Sequence, residues 1–328
     1  MKRYFLLILT LLYSYCSLAQ EAFIVSVVDK TNNQPIPHVS LVLLKSNLAA
    51  TTDENGKFEL NNALSAAEDT LLISVFGYHN AKFATSYFSN SKSVELKPVS
   101  APTEGFKISR QGRKRHLLNE FQPGLITYFL GLQKSSELFN YLQVAQKFEL
   151  PVKNASLKQV TIFRLIWEDI ETYFEDGLDK EEFSDTGSLQ KTKFRVRIYD
   201  VDSITGLPGR DLTREVINVN NRLSKVIKMN LASSKVTIPH KTFFVAVEWL
   251  RIPYNLSRTG VYLDQKLLGM PGGYGRFPTA CYKPILGMSH KKSSTLNTYS
   301  LTYQNQWVPY THFAPELTDF AISAEVEY

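Results

Sequence analysis

Short apolar runs alternate with turn residues along the chain from residue 22 onward. Within the runs, apolar and polar positions alternate with a period of two, which is typical of β-strands that bury one face. In the first hundred residues this pattern predicts strands at Ala22 to Asp29, Val39 to Leu44, Lys57 to Leu60, Thr70 to Val75 and Ser93 to Leu96. Glycine, proline and asparagine between the runs supply the turns. The first region is therefore predicted to be a β-sandwich or barrel.

The pattern continues after residue 120 and predicts a second, larger β region. Its candidate strands are Tyr141 to Glu149, Leu157 to Trp167, Lys193 to Val201, Leu212 to Val219, Val226 to Leu231, Thr242 to Leu250, Gly260 to Leu267, Leu296 to Tyr303 and Asp319 to Val326. Every second residue from Phe194 to Ile198 is apolar, so we expect the arginines and tyrosine that alternate with them to face water. Only Phe129 to Val144 could form a helix, and Gly131 weakens that interpretation. This number of strands suits a jelly-roll-like double sheet.

The N-terminus has the features of a secretory signal peptide over residues 1–19. Two cations precede an apolar run from Tyr4 to Tyr13, and small residues follow at Ser17 to Ala19. Cleavage would leave Gln20 first and would place the protein in the periplasm, on the outer-membrane surface or outside the cell. A membrane anchor and a lipoprotein acylated at Cys16 are the alternatives.

Four blocks of the first region resemble the carboxypeptidase-regulatory-like domain. They are Val28-Asp29, Gln34 to Pro37 ahead of Val39 to Val42, Thr52 to Phe58, and Leu72 to Ser74 ahead of Gly77-Tyr78. The resemblance implies a transthyretin-like (prealbumin-like) β-sandwich over residues 20–97. Independently of the resemblance, Asp53 to Gly56 supplies a tight turn in which glycine can take a positive φ.

The second region is similar to the C-terminal half of Bacteroidota exported proteins that begin with the same regulatory-like domain. The similar residues are Phe194 to Tyr199, Gly206 to Gly209, Phe243 to Trp249 and Trp307. This similarity implies a C-terminal β-sandwich over residues 121–328, and it implies no particular chemistry.

A change in composition separates the two regions. Residues 98–120 contain prolines, a glycine and the basic run Arg110 to Arg115, and we predict them to be a linker. Clustered cations can bind phosphates of lipopolysaccharide or nucleic acid. No aromatic residues alternate with these cations, which favours a solvated hinge or a protease-sensitive segment instead.

Charge and cysteine content exclude several kinds of partner and site. The formal net charge is +6, and it falls to +4 when the two leader cations are removed, so no nucleic-acid or other polyanionic partner is predicted. After cleavage only Cys281 remains, which excludes an internal disulfide. No Cys-x-x-Cys pair exists, so a thiolate zinc site is not expected either.

A search for catalytic motifs gives no candidate. A His-x-x-Glu zinc pair is absent, because the third positions after the six histidines hold Leu41, Lys82, Asn119, Phe243, Ser293 and Pro315. Gly-x-Ser-x-Gly is also absent, and a lone Cys281 is more typical of a small buried apolar residue than of a nucleophile. Residues 272–275 are predicted to be a flexible glycine-rich loop, and Asp200 and Asp202 are predicted to begin a turn. No catalytic residue, cofactor or metal is therefore predicted.

Two features leave a binding or hydrolytic role open. Acidic residues crowd the segment 168–182, which we interpret as a solvated loop. Aromatic residues in loop-rich sequence could hold sugar faces by stacking, and these candidate ligand contacts are Tyr274, Phe277, Tyr282, Trp307 and Tyr310.

Our prediction is a non-enzymatic, exported cell-envelope protein that acts in binding or assembly at the surface, with an unknown surface glycan or envelope protein as partner and no transmembrane segment after leader removal. The alternative is a carbohydrate-binding module or glycan hydrolase in the C-terminal domain. As a hydrolase it would use Glu248 with an acid from the segment 168–182.

Overall fold

The chain is all-β in the part that a computed structural model describes. This part comprises residues 22–61, 68–89, 92–99, 114–126, 128–133, 141–166, 192–213, 217–220, 224–264, 274–289, 295–312, 314–315 and 317–328. Of these, residues 22–23, 60–61, 89, 132–133, 220, 257–264 and 274–281 are described by their backbone only. These residues form β-strands and short 3-10 turns but no α-helix, which confirms the predicted fold class. Within the same residues, no helix is long and apolar enough to span a membrane. The predicted leader and the acidic segment 168–182 lie outside the described residues.

The chain divides into two compact units, Met1–Val99 and Ser100–Tyr328. The strands of the first unit are β1 (Ala22–Asp29), β2 (Ser40–Leu43), β3 (Leu48–Thr51), β4 (Lys57–Asn61), β5 (Thr70–Ser74), β6 (Ala81–Ala84) and β7 (Ser93–Leu96). They form a three-stranded sheet, in the order β4-β1-β7, and a four-stranded sheet, in the order β3-β2-β5-β6. One apolar core takes residues from both sheets, among them Val27 on β1 and Leu41 and Ile73 on β2 and β5. The unit is thus a β-sandwich.

The turn before β4 explains one block of the sequence pattern. The Asp53 carboxylate accepts hydrogen bonds from the backbone N–H groups of Asn55 and Lys57 at 2.8 and 2.7 Å. Gly56 has φ +67°, and a Cβ there would lie 2.7 Å from the Val27 carbonyl oxygen. Only glycine fits this position, because it tolerates a positive φ and allows the two backbones to approach closely.

The second unit contains the remaining strands of the described residues. They are β8 (Arg115–Leu118), β9 (Tyr128–Gln133), β10 (Tyr141–Glu149), β11 (Ala155–Leu165), β12 (Lys193–Val201), β13 (Pro208–Asp211), β14 (Ile217–Asn220), β15 (Val226–Asn230), β16 (Thr237–Ile238), β17 (Thr242–Trp249), β18 (Leu256–Asp264), β19 (Tyr274–Ser289), β20 (Thr298–Thr302), β21 (Trp307–Pro309), β22 (Asp319–Phe320) and β23 (Ile322–Glu327).

These strands form two sheets that share one core. A seven-stranded sheet has the order β13-β12-β17-β10-β20-β21, with β14 also paired to β12. A nine-stranded sheet has the order β18-β19-β11-β23-β8, with β15 and β16 on β11 and with β9 and β22 on β19. The core joins side chains of the first sheet, such as Phe194 and Val245, to side chains of the second, such as Val160 and Ile322. This is the jelly-roll-like sandwich that the alternation predicts.

The structure corrects the one helical prediction. Residues 129–133 lie on strand β9 and residues 141–144 on strand β10, and neither segment is helical, while residues 134–140 lie outside the described residues. On β9, Leu130 is in the main core, whereas its neighbour Phe129 packs against a second cluster around Phe163. Neighbouring residues thus bury opposite faces, which is the period of a strand and not of a helix.

Two further predictions, one of a loop and one of a linker, are also corrected. Tyr274 and Gly275 begin the long strand β19 and do not lie in a loop. We missed β19 because Gly275, Pro278 and Gly287 resemble strand breakers, although Pro278 pairs with Gly260 on β18. Strand β8 falls inside the predicted linker 98–120 and pairs with β23, so the last part of that segment belongs to a sheet. Strands β3, β6 and β21 were not predicted either, because each is short.

Candidate functional site

The strands β12, β17 and β10 of the seven-stranded sheet are buried along most of their length on both faces. The inner face of the sheet carries the apolar residues Phe194 and Val196, which are fully buried in the core. We predicted that the residues between them would face water, and that prediction is wrong. Arg195 is only 3% exposed and Tyr199 only 8%, although both lie on the opposite face of β12. We call this opposite side the outer face.

One row of side chains crosses the outer face from strand to strand, with three polar residues followed by a leucine and a tryptophan. In the register of the sheet, Arg195 on β12 is opposite Glu248 on β17, and Glu248 is opposite Gln143 on β10. The row continues through Leu301 on β20 to Trp307 on β21. Five strands therefore place these side chains in line, although they are far apart in the sequence.

Small residues occupy the centre of the outer face in the next row. Ala246 on β17 and Ala145 on β10 are opposite each other, and both are fully buried. They form an apolar cluster with Tyr199 and Phe244, against which Tyr299 and Trp307 also pack. The absence of bulk at the two alanines leaves room for the larger rings beside them.

Four charged side chains form a connected cluster on this face. The Arg197 Nε atom donates a hydrogen bond to the Asp211 carboxylate at 2.5 Å, and its Nη1 atom donates to Glu248 at 3.1 Å. Glu248 also pairs with Arg195 across 3.7 Å. Two guanidinium groups thus face two carboxylates, and Glu248 and Arg195 are almost completely buried.

Burial and charge act in opposite directions on the two arginines. Desolvation is the main influence on Arg195, and it lowers the pKa of this guanidinium although Glu248 opposes the change. Desolvation also acts against the charge of Arg197, but Tyr199, Glu248 and Asp211 together outweigh it and raise the pKa of Arg197. Both cations are thus held among anions in a site of low polarity.

Tyr199 connects the charged cluster to the aromatic side of the face. Its hydroxyl donates a hydrogen bond to Gln143 Oε1 at 2.9 Å, and burial is the main cause that raises the pKa of this phenol. Its ring meets that of Trp307 at a centroid distance of 5.5 Å and an angle of 71°. The Arg197 guanidinium carbon lies 5.9 Å from the same ring. Trp307 is only half-buried, so its ring extends the buried cluster to the surface.

Of the predicted ligand-contact aromatics, the structure places only Trp307 in this cluster. Tyr310 is in the core, where its ring lies 6.0 Å from that of Tyr141 and 5.7 Å from that of Phe320, so its ring is not available to a ligand. Tyr282 is half-buried and packs against the same core. Tyr274 and Phe277 lie on strand β19 and not in a loop, and their side chains are outside the described part of the structure.

Other predicted polar residues do not form a metal site. Asp202 accepts hydrogen bonds from the backbone N–H groups of Ile204 and Thr205, as expected for a residue that begins a turn. Asp200 lies 2.8 Å from the His240 Nδ1 atom. In the described ranges, no group of three or more histidine, cysteine or acidic residues could hold a metal ion.

We did not predict the burial of the outer face from the sequence, although the sequence of strand β17 indicates it. Strand β17 is apolar at nearly every position. Phe243 and Val245 lie on one of its faces, and Phe244 and Ala246 lie on the other. A continuous apolar run is typical of a strand buried on both faces. That pattern also implies burial for the residues opposite Ala246 and Phe244 on β12, which are Arg197 and Tyr199.

Comparison with known proteins gives one family match and several weak structural similarities. No curated protein matches the chain. The cysteine protease and lectin-like domains of Cwp84, a surface layer associated protein of Clostridium difficile, are 14% identical over 58% of this chain and 32% of that one, with a TM-score of 0.31. The chain thus spans less than a third of that structure's length.

Two further structures are comparably distant. The clostridial cysteine protease Cwp84 after propeptide cleavage is 11% identical over 93% of this chain and 70% of that one, with a TM-score of 0.31. A structure of infectious bursal disease virus, Gx strain, is 9% identical over 93% and 64%, with a TM-score of 0.23. Similarities at these scores carry no argument about the chain.

The family match concerns the first unit. Residues 26–104 match the model of the CarboxypepD_reg-like domain, which agrees with the resemblance in the sequence blocks and with the β-sandwich of that unit. The N-terminal unit of this chain is therefore a CarboxypepD_reg-like domain, and the C-terminal unit that follows it is a second β-sandwich.

Proposed function

We propose that this is a non-enzymatic, exported cell-envelope protein that binds a ligand through the outer face of its seven-stranded sheet. The CarboxypepD_reg-like domain at the N-terminus and the predicted leader support a location outside the cytoplasm. The second unit supplies the binding face, and the contact with the ligand is centred on Trp307.

One observation carries this proposal, namely that the row containing the buried polar groups ends at the half-buried Trp307. Burying charges is costly, and a sandwich gains little stability from ion pairs that apolar residues could replace. The outer face nevertheless holds Arg195, Arg197, Glu248 and Asp211 beside an aromatic cluster. Pre-positioned polar groups next to an aromatic ring are typical of small-ligand sites, where they fix orientation and give specificity.

The contacts of Glu248 support a binding role over the hydrolytic alternative. One carboxylate oxygen lies 3.1 Å from Arg197 and the other lies 3.7 Å from Arg195. A glycosidase acid needs a proton to give to the leaving group, and its partner carboxylate must flank the same bond. We infer that Glu248 instead orders the arginines of the outer face.

Binding can be tested with the purified chain from Gln20 onward on panels of glycans and cell-envelope proteins. We expect at least one ligand above background and a loss of about tenfold in affinity for Trp307→Ala, since aromatic anchors often contribute this much. Tyr128→Ala is the matched control, because Tyr128 is an exposed aromatic residue on β9 of the other sheet and should leave binding unchanged.

Two outcomes would contradict the proposal. The first is an absence of any ligand on the panels, or a ligand whose binding is the same in Trp307→Ala and wild type. The second is turnover of a polysaccharide that disappears in Glu248→Gln, which would establish the hydrolase.

A further inference from the structure

Strand β18 lies at one end of the nine-stranded sheet. In the described residues it pairs only with β19, and it has nine residues, Leu256–Asp264, without a proline. The strands at the other sheet ends of the second unit are β8 and β13, with four residues each, and β21, with three. Both β13 and β21 contain a proline. Short strands and prolines protect sheet edges from pairing with other chains, and β18 has neither protection.

Most of β18 belongs to a two-stranded ribbon. Over residues 274–280, strand β19 pairs with β18 alone in the part of the chain that the structure describes, whereas from Cys281 onward it also pairs with β9 and β11. The partners of this stretch are residues 258–264 of β18. A two-stranded ribbon is only marginally stable in water, and a stable sheet needs three or more strands. A further strand along β18 would therefore stabilise the ribbon.

A proline on β19 shows which backbone groups of β18 face the free edge, which is the edge away from β19. Pro278 is the partner of Gly260. Proline has no N–H, so the two residues form the type of pair in which the N–H and C=O groups point away from the partner strand. Gly260 therefore directs its backbone groups to the free edge. Arg258, Tyr262 and Asp264 do the same, because this direction alternates along a strand.

We propose that two copies of this chain associate through β18, so that their β18–β19 ribbons form one continuous antiparallel sheet. This interaction is additional to the proposed function. About a two-fold axis at Val261, Arg258 of each copy lies opposite Asp264 of the other, and Gly260 lies opposite Tyr262. Opposite charges, and an aromatic residue opposite a glycine, are favourable pairs across strands. The same residues direct backbone groups to the free edge, so the paired residues would exchange hydrogen bonds.

Other registers lack this complementarity. An axis at Gly260 places Arg258 opposite Tyr262, and an axis at Tyr262 places Asp264 opposite Gly260, so neither register pairs the charges. A register that pairs odd-numbered with even-numbered residues would join opposite faces of the two ribbons. The axis at Val261 keeps that residue and its β19 partner on the same face in both copies. Pairs related by a two-fold axis are also the commonest assemblies of identical chains.

Association is measured by analytical ultracentrifugation of the chain from Gln20 onward over a range of concentrations. We expect an equilibrium between monomer and dimer. Arg258→Asp should raise the dissociation constant about tenfold, because like charges then lie opposite each other at both ends of the paired strands. Lys153→Asp is the matched control, since it makes the same change of charge at an exposed residue between β10 and β11 and should leave the dissociation constant unchanged.

A charge exchange tests the register. Asp264→Arg alone should weaken the dimer as much as Arg258→Asp does. The two substitutions together restore opposite charges across the strands, and they should return the dissociation constant to within about twofold of wild type. If the double variant were weaker than either single variant, the two residues would not be opposite each other and this register would be wrong.

Disulfide formation tests the position of the two-fold axis. The background Cys281→Ser removes the remaining thiol of the chain without its leader. In it, Val261→Cys should form a covalent dimer when copper-phenanthroline is added as oxidant, since the two Cα atoms of such a pair are about 4.5 Å apart. Leu263→Cys is the matched control on the same face. Its two copies would be about 13 Å apart along the strands, which is too far for a disulfide.

Three results would overturn the proposal. The first is a wild-type chain that stays monomeric at every concentration. The second is a dimer that is unchanged in Arg258→Asp and gives no disulfide in Val261→Cys, although circular dichroism shows both variants to be folded. The third is a monomer that binds a glycan or another protein through β18, which would identify a different occupant. The proposed function is unaffected by these results, because Trp307 is on the other sheet, and Trp307→Ala should dimerise as wild type does.

Discussion

Each unit has a sheet whose strands alternate between core-facing residues and residues on the outer face. The outer face is exposed to solvent in the first unit and buried in the second. In the first unit, the outer face of the sheet β4-β1-β7 is open to solvent at Ile24, which lies near the start of the middle strand β1 and is 59% exposed. In the second unit, the outer face of the seven-stranded sheet buries Arg195, Tyr199 and Glu248. A polar residue at every second position therefore predicts which face a side chain is on, but not whether that face meets water.

The ion pairs on the two faces differ in their exposure to solvent. In the first unit, Lys30 and Glu95 are 4.0 Å apart, and more than half of each side chain is exposed. In the second, Arg197 and Glu248 are 3.1 Å apart and mostly buried. Solvent and salt screen the first pair. In the second pair each charge needs the opposite charge, because water does not take the place of a missing partner in a buried site.

Removing one carboxylate from each pair should give the largest difference between the faces. Glu248→Ala leaves two buried arginines with one carboxylate, and we expect it to lower the free energy of unfolding of the second unit by about 3–5 kcal/mol. Glu95→Ala removes a solvated partner and should change the free energy of unfolding of the first unit by less than about 0.5 kcal/mol.

Urea denaturation followed by far-UV circular dichroism measures both variants of this pair. Tryptophan fluorescence reports on the second unit, because all three tryptophans of the chain, Trp167, Trp249 and Trp307, belong to it. Equal losses for Glu248→Ala and Glu95→Ala would show that the outer face of the seven-stranded sheet is solvated after all.

The sequence predicted strands where one face is apolar and the turn residues lie outside the strand. The bounds of β1, β7, β10 and β12 agree with the prediction, because no glycine or proline interrupts these strands. Strand β19 could not be predicted in the same way, since its glycines and prolines are paired inside a sheet and do not end a strand.

The candidate site could be predicted only in part. Trp307 was predicted as a candidate ligand contact, but its neighbour Tyr199 is 108 positions away in the sequence and reaches it only through the order of the strands in the sheet. Registers such as Arg195 opposite Glu248 depend on which strands pair, and a single sequence does not give that order. The burial of a second face follows from the packing of whole sheets and not from the period of any one strand.

In the first unit, the buried acidic residue Asp69 binds backbone N–H groups and not arginines, and a second prediction concerns its contribution to stability. Asp69 accepts hydrogen bonds from the backbone N–H groups of Lys45, Ser46 and Thr70 at 2.8, 2.8 and 2.6 Å. Burial alone would raise its pKa, but these bonds and that of the Ser46 hydroxyl outweigh burial and hold the pKa of Asp69 below its usual 3.8. The stabilisation by Asp69 is therefore complete above pH 3.8 and is lost as the pH falls through the lower pKa of the folded state.

Asp69→Asn should destabilise the first unit by about 1–3 kcal/mol at pH 7, because an amide cannot accept from all of these donors. Hydrogen exchange in β2 and β5 followed from about pH 5 to about pH 1 should show a steep acid-induced loss of protection below pH 3.8 in wild type and a shallower one in Asp69→Asn. The same acid dependence in both proteins would assign the loss to other groups.

The smallest expected difference concerns a single hydroxyl. Tyr199→Phe removes the donor to Gln143 Oε1 on the buried outer face and should cost the second unit about 1 kcal/mol. Tyr87→Phe is its counterpart in the first unit, where Tyr87 is exposed, and it should change stability by less than about 0.5 kcal/mol. Thermal unfolding of both variants beside wild type measures the pair. If Tyr199→Phe were as neutral as Tyr87→Phe, water would be able to satisfy Gln143, and the outer face would be more open than its packing indicates.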